Sequence, residues 1–167
     1  MFDDLLWADL FAPLQLSPAA RVTRRSHDSQ RQPLFGWGLT LLGDDIAKLA
    51  RFLGEQRGRI NGREVLDAGM FEAAMQRDPA QPGLQVASLR NYRYQHGFWA
   101  RNLQTGLGCP EPLWVPFLSG FGGITLALFP NGVAWYNIAD DGLPASIDFA
   151  APAMEGAQAC GFCRAGS

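Results

Sequence analysis

The chain has 167 residues, 47% hydrophobic and 18% charged, a composition that builds a globular core and excludes a disordered chain. A formal net charge of −2 and a pI of about 5.6 give it no electrostatic attraction to nucleic acid or to an anionic membrane. No apolar run approaches the roughly 20 residues of a membrane span, and Asp3 and Asp4 stand where a secretory signal is basic, so neither segment is expected.

In chain order, Phe2 to Phe11 reads as a helix with Phe2, Leu6 and Leu10 on one stripe, ended by Pro13. Ser17 to Arg31 is polar and arginine-rich, the pattern of a solvated loop. Phe35-Gly-Trp-Gly-Leu39 reads as a glycine-punctuated turn or a short extended segment. The strongest helical pattern follows: Ile46, Leu49, Ala50 and Leu53 recur at i, i+3, i+4 and i+7 behind a cap at Gly43 or Asp44, with Gly58 as a stop. Asn61-Gly62 is a turn signal. A second helix is predicted from a cap at Asp67 to about Arg77, burying Met70, Phe71, Ala74 and Met75.

Asp78 to Val86 reads as a loop and Tyr94 to Arg101 as one strand in which His96, Phe98 and Ala100 alternate with Gly97 and Trp99. Asn102 to Pro116 is a glycine- and proline-rich connection. It leads to Ser119-Gly-Phe-Gly-Gly123, a glycine-rich approach to an apolar strand that includes Leu126 to Phe129. Pro130-Asn131-Gly132 then turns the chain into a return strand from Val133 to Ile138. Asp140-Asp141-Gly142 is a turn, and Ala150 to Ala159 a closing helix weakened by Pro152 and Gly156. No repeat or boundary interrupts the chain, so one α+β domain over 1–167 is expected.

Three cysteines, Cys109, Cys160 and Cys163, do not make a disulfide framework. Cys160-Gly-Phe-Cys163 has the CxxC spacing of zinc and redox sites. It lacks a second ligand pair and sits near the C-terminus rather than opening a helix, so it reads as incidental, and neither metal nor cofactor is expected.

A nucleophile needs a base within reach. The serines stand at 17, 26, 29, 88, 119, 146 and 167, and none lies in G-x-S-x-G. Lys48 is the only lysine and position 45 is Asp, so S-x-x-K is absent. Ser26-His27-Asp28 has triad residue types but reads as a polar loop, because neighbours in sequence rarely point at one another. Asp44/Asp45 and Asp140/Asp141 read as a helix start and a turn. His96 is the histidine best placed for a cleft, and an independent hydrolase pairing it with Ser119 is the weakest option considered.

Several segments taken together resemble the C-terminal portion of the serine β-lactamase and penicillin-binding-protein-like hydrolases, a family of AmpC-type β-lactamases, D-Ala-D-Ala carboxypeptidases, esterases and 6-aminohexanoate-dimer hydrolases. Leu10-Phe-Ala-Pro-Leu-Gln-Leu-Ser17 is similar to the family's "I-F-x-P-L-G-M" segment. Asp44-Asp-Ile-Ala-Lys-Leu-Ala-Arg-Phe-Leu53 with Gly58-Arg-Ile-Asn-Gly-Arg63 resembles its "D-L-A-R-F…G-x-x-N-G-R" helix and turn. Gly120-Phe-Gly-Gly-Ile-Thr-Leu-Ala-Leu-Phe-Pro130 resembles the strand after its third catalytic motif, with the return strand behind it.

The resemblance implies an antiparallel sheet flanked by helices, a partial β-lactamase/transpeptidase-like fold. It also implies serine acylation in complete members, whose S-x-x-K and Y-x-N motifs lie upstream of the proline-leucine segment. Neither motif is in this chain, and the basic residue of the third motif is missing between Trp114 and Gly123. The expectation is therefore a C-terminal fragment or degenerate member, inactive alone. Gly120, Phe121, Gly122, Gly123 and His96 would line a substrate cleft, and the missing N-terminal half or a second copy is the expected partner. The alternative is a non-catalytic binding or assembly module that self-associates or pairs with another chain.

Overall fold

A computed structural model describes residues 5–22, 24–32, 34, 39–120, 124–138 and 147. The chain forms two compact units, Met1–Leu66 and Asp67–Ser167.

In the first unit a wide π-helical turn, Trp7–Phe11, hands over to tight turns at Pro13, with the Leu16 N–H donating to the Phe11 carbonyl at 2.9 Å. Phe11, Leu16 and Ala20 form a small core, joined by Leu10, Leu14, Leu39, Leu41 and Leu49. The Arg21 guanidinium lies 4.3 Å above the Trp7 ring, so one arginine of the polar stretch is fixed by cation–π attraction. Helix α1, Gly43–Gly54, buries Ile46, Ala50, Phe52 and Leu53, while Leu49 is half-buried. Its cap is Leu42, earlier than either expected residue. Leu42 has no side-chain acceptor, and Asp45, in the first turn, does the capping work.

Asp45 is fully buried. Its carboxylate accepts from the Ser17 N–H and the Ser17 hydroxyl, each at 2.6 Å, and from the Leu42 N–H at 3.0 Å. Burial alone would raise its pKa. The bonds from Ser17 and Leu42, with help from Lys48, outweigh that and hold it below the ordinary 3.8. One side chain thus satisfies an orphan donor of the helix and ties the helix to a loop 28 residues earlier. Strands β1, Arg59–Ile60, and β2, Arg63–Glu64, close a hairpin on Asn61-Gly62, both at positive φ (50° and 79°).

The second unit opens with helix α2, Ala68–Met75. The Asp67 carboxylate caps it by accepting from the Met70 N–H at 2.8 Å. Phe71, Ala73, Ala74 and Met75 are buried, but Met70, expected in the core, is exposed. The helix stops at Gln76, in the left-handed region at φ 53°. The Gln76 amide is buried and donates to the Phe98 carbonyl at 3.0 Å, while its own oxygen has no protein partner. A side chain on Gly83 would collide with that amide, and Gly83 is itself at φ 77°.

Six strands follow in a meander, each pairing antiparallel with its sequence neighbours. They are β3 Leu84–Gln85, β4 Tyr92–Gln95, β5 Phe98–Asn102, β6 Trp114–Gly120, β7 Ile124–Leu128 and β8 Ala134–Asn137. A short helix α3, Gln104–Leu107, interrupts the β5–β6 connection. The Asn102 side chain organises that loop, accepting from the Gln104 N–H at 3.0 Å and the Leu113 N–H at 3.2 Å.

Register puts Tyr94, Trp99, Phe117, Ala127 and Trp135 in one row across five strands, on the face that carries the main cluster of Leu103, Leu107, Cys109, Val115, Phe117, Ala127, Phe129 and Ile147. Ala100, Pro116 and Leu128 share the other face and are buried too. Helix α2 packs against β4, β5 and β6, and the Arg77 guanidinium donates to the Leu128 carbonyl at 3.2 Å.

An α+β architecture with an antiparallel sheet is what the sequence predicts, with three corrections. Tyr94 to Arg101 is two strands, not one. The supposed connection and glycine-rich approach contain β6, whose central Pro116 disguises it. Asp78 to Val86 includes the short β3. The helix from Ala150 to Ala159 and the turn at Asp140-Asp141-Gly142 lie outside the described residues.

The buried carboxylate makes a stability test. Asp45→Ala is expected to lower unfolding free energy by about 2–4 kcal/mol, and Ser17→Ala by about 1 kcal/mol, in urea titrations. Because the folded-state pKa of Asp45 is depressed, its contribution is present above pH 3.8 and is lost as pH falls through the depressed value. Asp45→Ala should therefore flatten the acid limb of the stability profile.

Candidate functional site

The candidate site is the end of the sheet at which β4 turns into β5, β6 gives way to β7, and β8 ends. Antiparallel pairing of Gly120 with Ile124, and the level of Phe98 beside Leu118, bring these three points to one end. The β4–β5 turn is His96-Gly97, with φ 46° and 86°, the two-residue hairpin geometry whose twist suits adjoining strands. His96 is thus an exposed turn residue and not an alternating strand residue. Its Nε2 stands 3.4 Å from the Gln95 amide nitrogen.

Gly120 ends β6. A Cβ there would lie 3.4 Å from the Ile124 Cβ, an ordinary contact, and Gly120 takes no special backbone angle. Phe121, Gly122 and Gly123 lie outside the described residues. The structure therefore brings His96 and Gly120 to the same end of the sheet, over neighbouring hairpins roughly 10 Å apart at two strand spacings.

Sequence reading misses the row that register builds beside Gly120. Ser119 on β6, Thr125 on β7 and Asn137 on β8 are cross-strand partners on the face of the main cluster. They replace the apolar row of Phe117, Ala127 and Trp135 by two hydroxyls and an amide. The row is visible only once β6 is recognised as a strand. Within the row Ser119 is exposed, Asn137 half-buried and Thr125 only 1% exposed, and none of the three titrates near neutral pH.

No catalytic set assembles among the described residues. No hydrogen bond joins His96 to Ser119. Ser26 donates to Asp28 at 2.7 Å and accepts from the Gln32 N–H at 2.8 Å, closing a local loop in which His27 takes no part. The Ser26 hydroxyl, aided by the Arg31 and Gln30 amides, holds Asp28 below the usual carboxylate range. Asp44 pairs with Lys48 at 2.7 Å one helical turn on. Cations on the sheet sit on rings: Arg93 is 3.7 Å above Trp114, and Arg101 4.6 Å above Tyr92. Burial lowers the Arg93 pKa. No group of three acidic, histidine or cysteine side chains is placed to hold a metal among the described residues, and no helix there is long and apolar enough to cross a membrane. Cys160 and Cys163 lie outside them, but Cys109 is disulfide-bonded, which the odd cysteine count did not lead one to expect.

The turn geometry is directly testable. His96→Asn should leave stability unchanged or raise it by about 0.5 kcal/mol, since Asn-Gly suits this turn better. Gly97→Val, at φ 86°, should lower it by at least about 1–2 kcal/mol in the same urea titration.

Comparison of the chain with protein-family models, with curated proteins and with solved structures finds no match.

Proposed function

We propose that this chain is a C-terminal portion, or a degenerate member, of the β-lactamase-like serine hydrolases, forming one wall of a substrate cleft without the acylating machinery. The observation that carries the reading is the polar row of Ser119, Thr125 and Asn137 beside the Gly120 end of β6, in the stretch that resembles the strand after the family's third motif. The two earlier resembling segments are also structural partners: Ser17, at the end of the proline-leucine segment, is bonded to Asp45 at the start of the "D-L-A-R-F" helix. In this reading the backbone at the end of β6 and the exposed Ser119 hydroxyl donate to a bound carbonyl or carboxylate. The serine, its activating lysine and the tyrosine are not among these 167 residues. The purified chain should keep its intact mass after excess fluorophosphonate probe or penicillin; stoichiometric addition to any serine overturns the reading.

A second reading, an assembly module, is favoured by one observation. On the face opposite the polar row, Ile124, Tyr136 and Ile138 are 44%, 46% and 53% exposed at the β7–β8 edge. An apolar edge of this kind favours self-association. Sedimentation should then show a concentration-dependent dimer that Tyr136→Lys weakens at least about tenfold; a strict monomer at all concentrations rules it out.

A further inference from the structure

Strand β8, Ala134–Asn137, is an edge of the six-stranded sheet, and so is β3, Leu84–Gln85. At the β7–β8 turn the Phe129 N–H donates to the Val133 carbonyl at 2.9 Å and the Gly132 N–H to the Phe129 carbonyl at 3.1 Å. Antiparallel ladders alternate, so Val133, Trp135 and Asn137 aim their backbone groups at β7. Those of Ala134 and Tyr136, and of Ile138 next in step, aim away from the sheet, where no strand pairs among the described residues. Val133 to Ile138 holds no charge and no proline, the usual guards of an edge. The other edge is guarded: β3 is two residues long and follows Pro82-Gly83.

We propose that β8 pairs with β8 of a second copy, antiparallel and about a two-fold axis at Tyr136; this names the partner in the assembly reading and rests on that reading. Outward residues must meet outward residues. With Tyr136 opposite its own counterpart, Ala134 faces Ile138 of the second copy on both sides of the axis, and any other two-fold register leaves one of the three without a match. The pairing also keeps faces together. The exposed apolar group of Ile124, Tyr136 and Ile138 joins that of the other copy, and two six-stranded sheets become one. On the opposite face the second copy's Trp135 comes beside Asn137, at the end of the polar row of Ser119, Thr125 and Asn137. The candidate cleft wall thereby gains a ring from the second copy. Pairing β8 with β3 instead would form few rungs and leave an edge free at each end, so it would not close.

The test is sedimentation of the full chain as wild type, Tyr136→Lys and Tyr136→Glu. Wild type should dimerise, and each variant alone should dimerise at least about tenfold more weakly, because like charges then face each other. An equimolar mixture of the two variants should recover association, since residue 136 faces its own counterpart. Oxidation of Tyr136→Cys should join two chains through position 136, whereas Ile138→Cys should not cross-link, its neighbour being Ala134. A strict monomer overturns this proposal and the assembly reading together. A dimer that both charged variants keep, weakened variants that fail to recover on mixing, or cross-linking at 138 and not at 136 overturns the β8 pairing alone and leaves self-association standing.

Discussion

Phe117 lies between Trp99 and Ala127 at the centre of the sheet, and much of the second unit depends on that row. A large ring on β5, another on β6 and a methyl group on β7 interdigitate on one face, while Ala100, Pro116 and Leu128 are buried on the other. With both faces buried, a slip of β6 by one residue would turn its side chains over and carry Phe117 to the face of Ala100 and Leu128. Tyr92 extends the lock sideways, meeting the Trp99 and Phe117 rings edge-on at 6.5 Å and 6.3 Å. The register that places Phe117 beside Ala127 also places Ser119 beside Thr125 and Asn137. The candidate cleft wall therefore inherits its geometry from the core.

The features legible in the sequence are those set by local chemistry. Asp67 caps the predicted helix because a carboxylate serves that position, and Asn61-Gly62 and Pro130-Asn131-Gly132 turn the chain because their residues tolerate the required angles. Long-range features stayed hidden. Pro116 argued against a central strand because it cannot donate to a ladder, yet β6 keeps it at the cost of a missing rung. His96 looked like an alternating strand residue because histidine is a weak turn signal, and only Gly97 beside it betrays the hairpin. Leu42 precedes α1 without a side-chain oxygen, and Asp45, inside the helix, accepts from the Leu42 N–H instead.

The candidate site was half visible for the same reason. Gly120 and His96 do meet at one end of the sheet, but the polar partners of Gly120 come from three strands and are adjacent only through register. What the described residues place there is a row of two hydroxyls and an amide beside the last residue of β6. On the sheet itself the guanidinium groups of Arg93 and Arg101 are engaged on aromatic rings.

The meander has a kinetic meaning as well. Every strand from β3 to β8 pairs only with its neighbours in the chain, so the sheet needs no crossover and closes mostly short loops. Such a sheet zips outward from its hairpins. The two-residue β4–β5 turn is the shortest to close, and the β5–β6 connection is the longest. Its interior positions are filled as soon as it forms. Among the described residues, the edges left for a further strand to join are the outer ones of β3 and β8.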